Sequence, residues 1–304
     1  MATGVDERRD QGAHWKGRAA SYRDVFVAMS KTPLHVAAES GETEATLAYI
    51  QSGASVDALD EELRTPLHLA AREGHTRVVR ALVEAGASVD AKDLDDGMTP
   101  LHLAAMGGHA LVVRALVVAG ASVDGRDRSG TTALHFAAME GKTEAALALT
   151  GAGADLEATD VDSRTPLYLA TVDGAVETVL ALAEAGASID AKTNDDVANC
   201  DTPTALQYAV ENGNVEMALA LAKAGASLEA KDRNGWTLLH VQAFKRETKM
   251  FLALAEAGAS LEAKCNAGKT PLDVAPEATK ATLLEVLRNK KRARKDTSGT
   301  DSKS

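Results

Sequence analysis

Apolar residues recur along most of the chain at helical spacing, in short segments that end at glycine. In the segment 66–84 the apolar positions are Leu67, Ala70, Ala71, Val78, Val79, Leu82 and Val83. Residues three and four apart lie on one face of a helix, so the pattern predicts two short helices separated by Gly74. Helices of this length are only marginally stable alone in water, and each must therefore bury its apolar face against neighbouring segments.

One tetrapeptide, Thr-Pro-Leu-His, recurs in intact or altered form along the chain. Its threonines are Thr32, Thr65, Thr99, Thr132, Thr165, Thr204, Thr237 and Thr270. The steps between them are 33 or 34 residues, apart from one step of 39 that ends at Thr204. A second phrase, Gly-Ala-Ser-Val-Asp-Ala from Gly86, keeps the same period. A fixed period of this length indicates a solenoid, in which each unit buries its apolar face against its neighbours.

Each residue of the motif has a physical role at the start of a helix. The Thr hydroxyl can accept a backbone N–H of the first turn, and Pro at the next position lacks an N–H that would be left without a partner. The His falls at the third helical position, from which its side chain can reach back to the cap. Glycines such as Gly74 and Gly86 then end the first and second helices. The segment Asp127-Arg-Ser-Gly130 is typical of a tight turn that leads to the next unit.

The period and the signature Thr-Pro-Leu-His-x-Ala-Ala at Thr65 to Ala71 resemble the ankyrin repeat family, and the resemblance covers roughly residues 21–289. It implies an all-α ankyrin-repeat solenoid of about eight helix-turn-helix units with short β-hairpin fingers. The fingers would project near 90° to the paired helices. The resemblance also implies that a partner protein binds to the fingers and the concave face formed by the inner helices.

The domain boundaries follow from the repeat. Residues 1–20 are polar and predicted to be disordered, residues 21–289 form the array, and residues 290–304 form a disordered basic tail. The long step places six inserted residues within 192–201, where we expect a longer finger. Arg246 stands where the other units have a helix-ending glycine, and the last unit resembles a terminal cap.

Composition and charge limit the classes of function. Aromatic residues are only 3% of the chain, so the core must be built from Ala, Leu and Val. No apolar run reaches the 18–20 residues or so that span a bilayer, and residues 1–10 lack the apolar core of a signal peptide. Two cysteines are too few for a disulfide scaffold, which favours the cytosol or the nucleus. We expect a monomer that does not bind membranes.

The charge is divided unevenly along the chain. Residues 1–30 carry +1 and residues 290–304 carry +4, and because the formal net charge is -11, residues 31–289 carry -16. An acidic body repels phosphate backbones, so we expect no direct nucleic-acid binding by the repeats. The many Asp and Glu residues of the fingers and unit junctions are either a solvated face or a docking edge for a basic partner.

The residues that could carry chemistry have ordinary structural explanations. Five histidines, His35, His68, His102, His135 and His240, belong to the signature and are predicted to cap helices. A metal site needs ligands that converge on one point, whereas a solenoid spaces these side chains along a rod. Gly268-Lys269-Thr270 is similar to the end of a phosphate-binding loop, but position 263 is Ala where that loop needs Gly. No nucleophile is set beside a base. We therefore expect no enzyme, no cofactor and no small-molecule substrate.

A cluster of basic residues follows the array. Such a cluster is typical of a nuclear-import signal, and it could equally be the favourable basic end of the last helix. Its members are Lys290, Lys291, Arg292, Arg294 and Lys295.

We expect the partner to contact apolar side chains at the finger tips and after the Ala-Ala of the inner helices, where most units carry charges instead. Exposed apolar side chains on adjacent units often form an interface, although some of them could simply pack between fingers. The predicted contact residues are Met98, Met106, Met139, Val161, Val172, Trp236 and Phe244. The surrounding acids are expected to steer a partner with a basic rim. These acids are Asp95, Asp96, Asp160 and Asp162.

Two functions follow from these observations. The first is a non-catalytic scaffold that binds another protein through its concave face and fingers. The second is a nuclear regulator that masks a basic segment of a transcription or chromatin factor, which would use the acidic body and the basic tail together. The location would be cytoplasmic, nuclear or both.

Overall fold

The computed structural model describes residues 30–192 and 203–298, with side chains as far as residue 288. These residues form sixteen α-helices in consecutive pairs, and we call the first helix of each pair inner and the second outer. The inner helices are α1 Pro33–Glu39, α3 Pro66–Arg72, α5 Pro100–Met106, α7 Ala133–Met139, α9 Pro166–Val172, α11 Ala205–Glu211, α13 Leu238–Lys245 and α15 Pro271–Val274. The outer helices are α2 Thr43–Gln51, α4 Thr76–Glu84, α6 Ala110–Val118, α8 Thr143–Gly151, α10 Val176–Glu184, α12 Val215–Lys223, α14 Thr248–Glu256 and α16 Glu277–Ser298.

The inner helices begin at the threonines of the motif, as predicted. Thr65 is extended, and its backbone N–H donates to Nδ1 of His68 across 3.0 Å. The same bond forms at the other four signature histidines, so their predicted structural role is confirmed. In the sixth unit Gln207 replaces the histidine, and its Oε1 accepts the N–H of Thr204 at 2.8 Å. In the fifth unit Tyr168 stands at this position, and its N–H donates to the hydroxyl of Thr165.

The helices stack in two layers. Inner helices pack on the next inner helix from α1 to α11 and again from α13 to α15, and outer helices pack on the next outer helix from α2 to α16. One continuous core runs between the layers from Leu34 to Leu283, and leucines such as Leu67, Leu134 and Leu206 have no exposed surface. Burying such a side chain stabilises the fold by about 1.5–3 kcal/mol. The alanines of the signature let neighbouring inner helices approach closely.

The fingers are tight turns, and the predicted β-hairpins are not confirmed. In the described residues the only β pairing is an isolated bridge between Arg126 and Thr132. The fingers in the described ranges are too short for a ladder, since one hydrogen bond, such as Asp127 N–H to the Thr131 carbonyl at 3.0 Å, closes the turn. Neighbouring finger tips are also joined, because the N–H of Val161 donates to the carbonyl of Ser129 at 3.0 Å.

The structure describes two of the three places where the sequence departs from the repeat, namely Arg246 and the last unit. Arg246 adopts the left-handed conformation, with φ 66°, that glycine adopts in the other units, and α13 still ends there. The six inserted residues lie largely outside the described part of the chain. The last helix extends to Ser298, beyond residue 289, where the sequence analysis placed the end of the array. The side chains of the basic cluster at 290–295 lie outside the described residues, as do residues 1–20.

Candidate partner-binding surface

One residue at the end of each inner helix occupies the same place in the repeat, and together these residues form a row. From the first unit to the seventh, the row consists of Glu39, Arg72, Met106, Met139, Val172, Glu211 and Phe244. Because the inner helices from α1 to α11 pack on each other in sequence, the members of the row from Glu39 to Glu211 are neighbours. We call this row the inner row.

The centre of the inner row is apolar, and charged residues flank it on both sides, Arg72 before it and Glu211 after it. Met106 and Met139 are half-buried, and Val172 is 42% exposed. On one side Arg72 and Glu39 form an ion pair of 2.9 Å. A hydrogen bond from Lys31, together with the charges of Lys31 and Arg72, lowers the pKa of Glu39. The structure therefore brings together three of the predicted contact residues on adjacent helices.

Among the predicted contact residues, Met98 is buried in the structure. Its side chain is only 7% exposed, so the expectation of an accessible Met98 is wrong. The residue directly precedes a helix cap, where both of its backbone groups are held. Its N–H donates to Asp93 Oδ1 at 2.8 Å, and its carbonyl accepts from His68 Nε2 at 3.2 Å. Val161 lies at a finger tip and is 70% exposed.

The aromatic pair of the seventh unit forms a separate cluster. Trp236 stacks on His240, with ring centroids 6.2 Å apart, and meets Phe244 edge to face at 5.5 Å. Phe244 is 59% exposed. Glu211 stands between Val172 and Phe244 in the inner row, so this cluster is not continuous with the methionines.

The acidic residues divide into two groups that the sequence did not distinguish. Asp95 and Asp96 are exposed at a finger tip, as steering charges must be. Asp160 is only 7% exposed and is bound by Arg164, so its predicted steering role is wrong. Asp162 is exposed, and it pairs with Arg164 at 2.8 Å.

The buried finger acids hold the turn itself. Asp60 accepts the backbone N–H groups of Glu62 and Arg64 and also the guanidinium of Arg64, at 2.9–3.0 Å. Burial alone would raise the pKa of Asp60, but the hydrogen bonds from Arg64 outweigh it, and the pKa is lowered. Position 60 and its equivalents recur with the repeat period, which is the signal that would have revealed their role.

A third set of acids joins consecutive units. Asp57 accepts the backbone N–H of Ser88 in the next unit at 2.9 Å, and Asp90 accepts that of Ser122 at 3.0 Å. The same bond recurs at Asp124, Glu157, Asp190 and Glu229. The acid of the Gly-Ala-Ser-x-Asp phrase is therefore a structural acceptor, a role that lies outside both predicted alternatives.

The histidines also bridge units. His135 Nε2 donates to the carbonyl of Arg164 in the next unit at 3.0 Å, and His68 bridges to Met98 in the same way. His75 and His109 bond the carbonyls of Glu39 and Arg72 in the preceding unit. Burial lowers the pKa of four signature histidines, which favours the neutral ring that this pattern of one donor and one acceptor requires. They are His35, His68, His102 and His135.

Other chemical signals have structural explanations in the described residues. Gly268 and Lys269 close a turn on Cys265, and Thr270 caps α15 together with Asp273. Cys265 is only 7% exposed, so its thiol is buried beneath this turn. Within the described ranges, no group of His, Cys, Asp and Glu could hold a metal ion, and no helix is long and apolar enough to cross a bilayer.

The paired helices at a fixed period define a helical repeat protein. A family model described as ankyrin repeats (3 copies) matches residues 18–93, 89–160, 127–193 and 153–232. The chain therefore belongs to the ankyrin repeat family, whose repeats are generally protein–protein interaction modules. A comparison with curated proteins finds no match.

Proposed function

We propose that the chain is a non-catalytic scaffold that binds a partner protein through the centre of the inner row. The observation that carries the proposal is the run of Met106, Met139 and Val172 on three adjacent inner helices. The same place in the row is charged in the first, second and sixth units, so folding does not require an apolar residue there. Methionine adapts to varied partner shapes, which suits such a contact.

The surroundings of this centre favour a partner with a basic rim. Asp95 and Asp96 are exposed on a neighbouring finger, and residues 31–289 carry a net charge of -16. Such a field speeds association with a cationic surface and disfavours a nucleic-acid backbone. Trp236 and Phe244 offer a second point of contact, an aromatic one, further along the array, since tryptophan is frequent among residues that dominate binding energy.

A more specific function is a nuclear regulator that masks a basic segment of a transcription or chromatin factor. The acidic body and the basic cluster of the C-terminal region support it. A reporter carrying residues 290–295 should accumulate in nuclei, and alanine at Lys290, Lys291, Arg292, Arg294 and Lys295 should abolish this. An unchanged distribution would leave only the helix-end role of the cluster.

The experiment for the scaffold begins with affinity purification and mass spectrometry to identify the partner. The double variant Met106→Glu/Met139→Glu should then weaken binding at least about tenfold, because two carboxylates would be desolvated in the interface. Tyr49→Glu is the matched control, since Tyr49 is 38% exposed on an outer helix and should leave affinity unchanged. Higher salt should mainly slow association.

Circular dichroism separates a binding effect from a folding effect. Both side chains in the double variant are half-buried, and the scaffold proposal expects nearly unchanged helicity and melting temperature. Intact affinity, or unfolding of the double variant, would show that the proposed binding role of these methionines is wrong.

A further inference from the structure

The third outer helix differs from its counterparts at one exposed position near its start. Seven outer helices have nine residues each, and their second residues are therefore equivalent. In six of them this residue is charged, namely Glu44, Arg77, Glu144, Glu177, Glu216 and Lys249. In α6 it is Leu111, which is 63% exposed.

The last residue of α6 departs from the pattern in the same way. Five outer helices end in a polar or charged residue, namely Gln51, Glu84, Glu184, Lys223 and Glu256. In α6 the residue is Val118, which is 88% exposed, and in the next unit it is Gly151. The fold therefore accepts a charge at both positions, and two large apolar side chains at these places add nothing to the core.

Val118 lies between two open grooves of about 440 Å³ each. The groove between α4 and α6 is lined by Val83, Val118 and the stems of Arg80 and Arg114. The groove between α6 and α8 is lined by Leu147, which is 48% exposed, and by Gly151, whose missing side chain leaves it open. Leu111 lies two turns from Val118 on α6. We call Leu111, Arg114, Val118 and Leu147 the outer face.

The charges beside the outer face have the opposite sign to the body. Arg77, Arg80 and Arg114 are exposed. None of the three forms an ion pair with a residue that the structure describes. The nearby acids are Glu84, which lines the first groove, and Glu144 at the start of α8. Three guanidinium groups thus border an apolar surface on a molecule whose array is otherwise strongly acidic.

We infer that the outer face binds an amphipathic helix of another protein whose apolar stripe is bordered by carboxylates. A helix laid in a groove presents side chains at positions i, i+3, i+4 and i+7, and Leu111 and Val118 are seven residues apart. Guanidinium groups bind carboxylates in a fork geometry that lysine does not offer. The inference is independent of the inner row, because α6 and α8 are outer helices.

A second copy of the chain fits this surface less well. Two copies of α6 packed antiparallel about a two-fold axis would place Leu111 against Val118. The same arrangement would place each Arg114 opposite Ala115, so the two Arg114 side chains would lie close together near the centre, where like charges repel each other. The charge pattern therefore favours a different molecule with acidic borders.

The test uses two synthetic helical peptides of about five turns with the same leucine stripe at i, i+3, i+4 and i+7. One peptide has Glu beside the stripe and the other has Lys at the same positions. Fluorescence anisotropy with the full chain should show binding at least about tenfold tighter for the Glu peptide. Leu111→Glu/Val118→Glu, which restores the charges of other units, should lose this binding, while Met106→Glu/Met139→Glu should retain it.

A second variant tests the charges without changing the apolar surface. Arg80→Gln/Arg114→Gln should reduce the preference for the Glu peptide over the Lys peptide to less than about threefold, and it covers the case in which the first variant fails to fold. Equal affinity for the two peptides would overturn the inference, as would full binding by a folded Leu111→Glu/Val118→Glu variant. Sedimentation that shows a dimer of the wild type, dispersed by the same variant, would assign the outer face to a second copy instead.

Discussion

Replacing His135 by Ala should remove more stability than any surface substitution. The imidazole has no exposed surface, and its Nδ1 accepts the N–H of Thr132 at 3.2 Å. The Thr132 hydroxyl lies 2.8 Å from the same nitrogen, and Nε2 donates to the carbonyl of Arg164 in the next unit. The substitution leaves the Thr132 N–H without this acceptor, removes the bridge to the Arg164 carbonyl, which still accepts the N–H of Asp160 at 3.2 Å, and opens a space between two units.

The magnitude follows from those contacts. The buried Thr132 N–H left without its acceptor costs about 1–3 kcal/mol, the lost bridge to Arg164 costs about 0.5–1.5 kcal/mol, and the space left by the imidazole adds to both. We therefore expect His135→Ala to lower the free energy of unfolding by about 3–5 kcal/mol. Urea denaturation followed by circular dichroism should show a lower midpoint with an unchanged slope.

The chain supplies its own control in Gln207, which caps Thr204 through Oε1 at 2.8 Å. His135→Gln should keep the bond to the Thr132 N–H and lose mainly the bridge to Arg164, at a cost of about 1–2 kcal/mol. If His135→Ala costs less than about 1 kcal/mol, or if Gln is as costly as Ala, the bridging imidazole does not stabilise the array as argued.

Two further predictions concern acid and backbone strain. Burial lowers the pKa of His35, His68, His102 and His135, whereas unfolded histidines titrate near pH 6.5. Stability should therefore be complete above about pH 6.5 and fall below it, so the urea midpoint at pH 5.5 should lie below that at pH 7.5, and equal midpoints would contradict this linkage. Arg246→Gly should raise the free energy of unfolding by about 1 kcal/mol, since Arg246 has φ 66°. Thermal unfolding without a gain would show that the loop does not carry that strain.

Most of what could be predicted about the fold came from the repeat period. The helix starts at the motif threonines, the capping histidines and the unusual end of α13 at Arg246 all follow from residues that recur at fixed spacing. The fingers were harder, because a turn of four or five residues and a short hairpin have the same Gly and Asp content. Only the hydrogen bonds distinguish them.

The candidate surface was predicted only in part, because burial depends on contacts between units. Met98 and Val161 are both apolar residues of a finger, yet one is buried beneath a helix cap and the other is exposed. Asp160 and Asp162 are two residues apart and differ in the same way. The sequence did not reveal the outer face, because Val118 extends an apolar run that is typical of a buried helix. Only the structure shows that its side chain is exposed.

The bridging imidazoles also determine how the array responds to a pulling force. Tension along a solenoid acts on all of its junctions in series, and the junction with the weakest links opens first. The sixth unit has Gln207 in place of the imidazole, so the junction that follows it lacks this bridge. Under load, the protein should therefore extend first between Glu211 and Phe244, where the methionine centre and the aromatic cluster are separated.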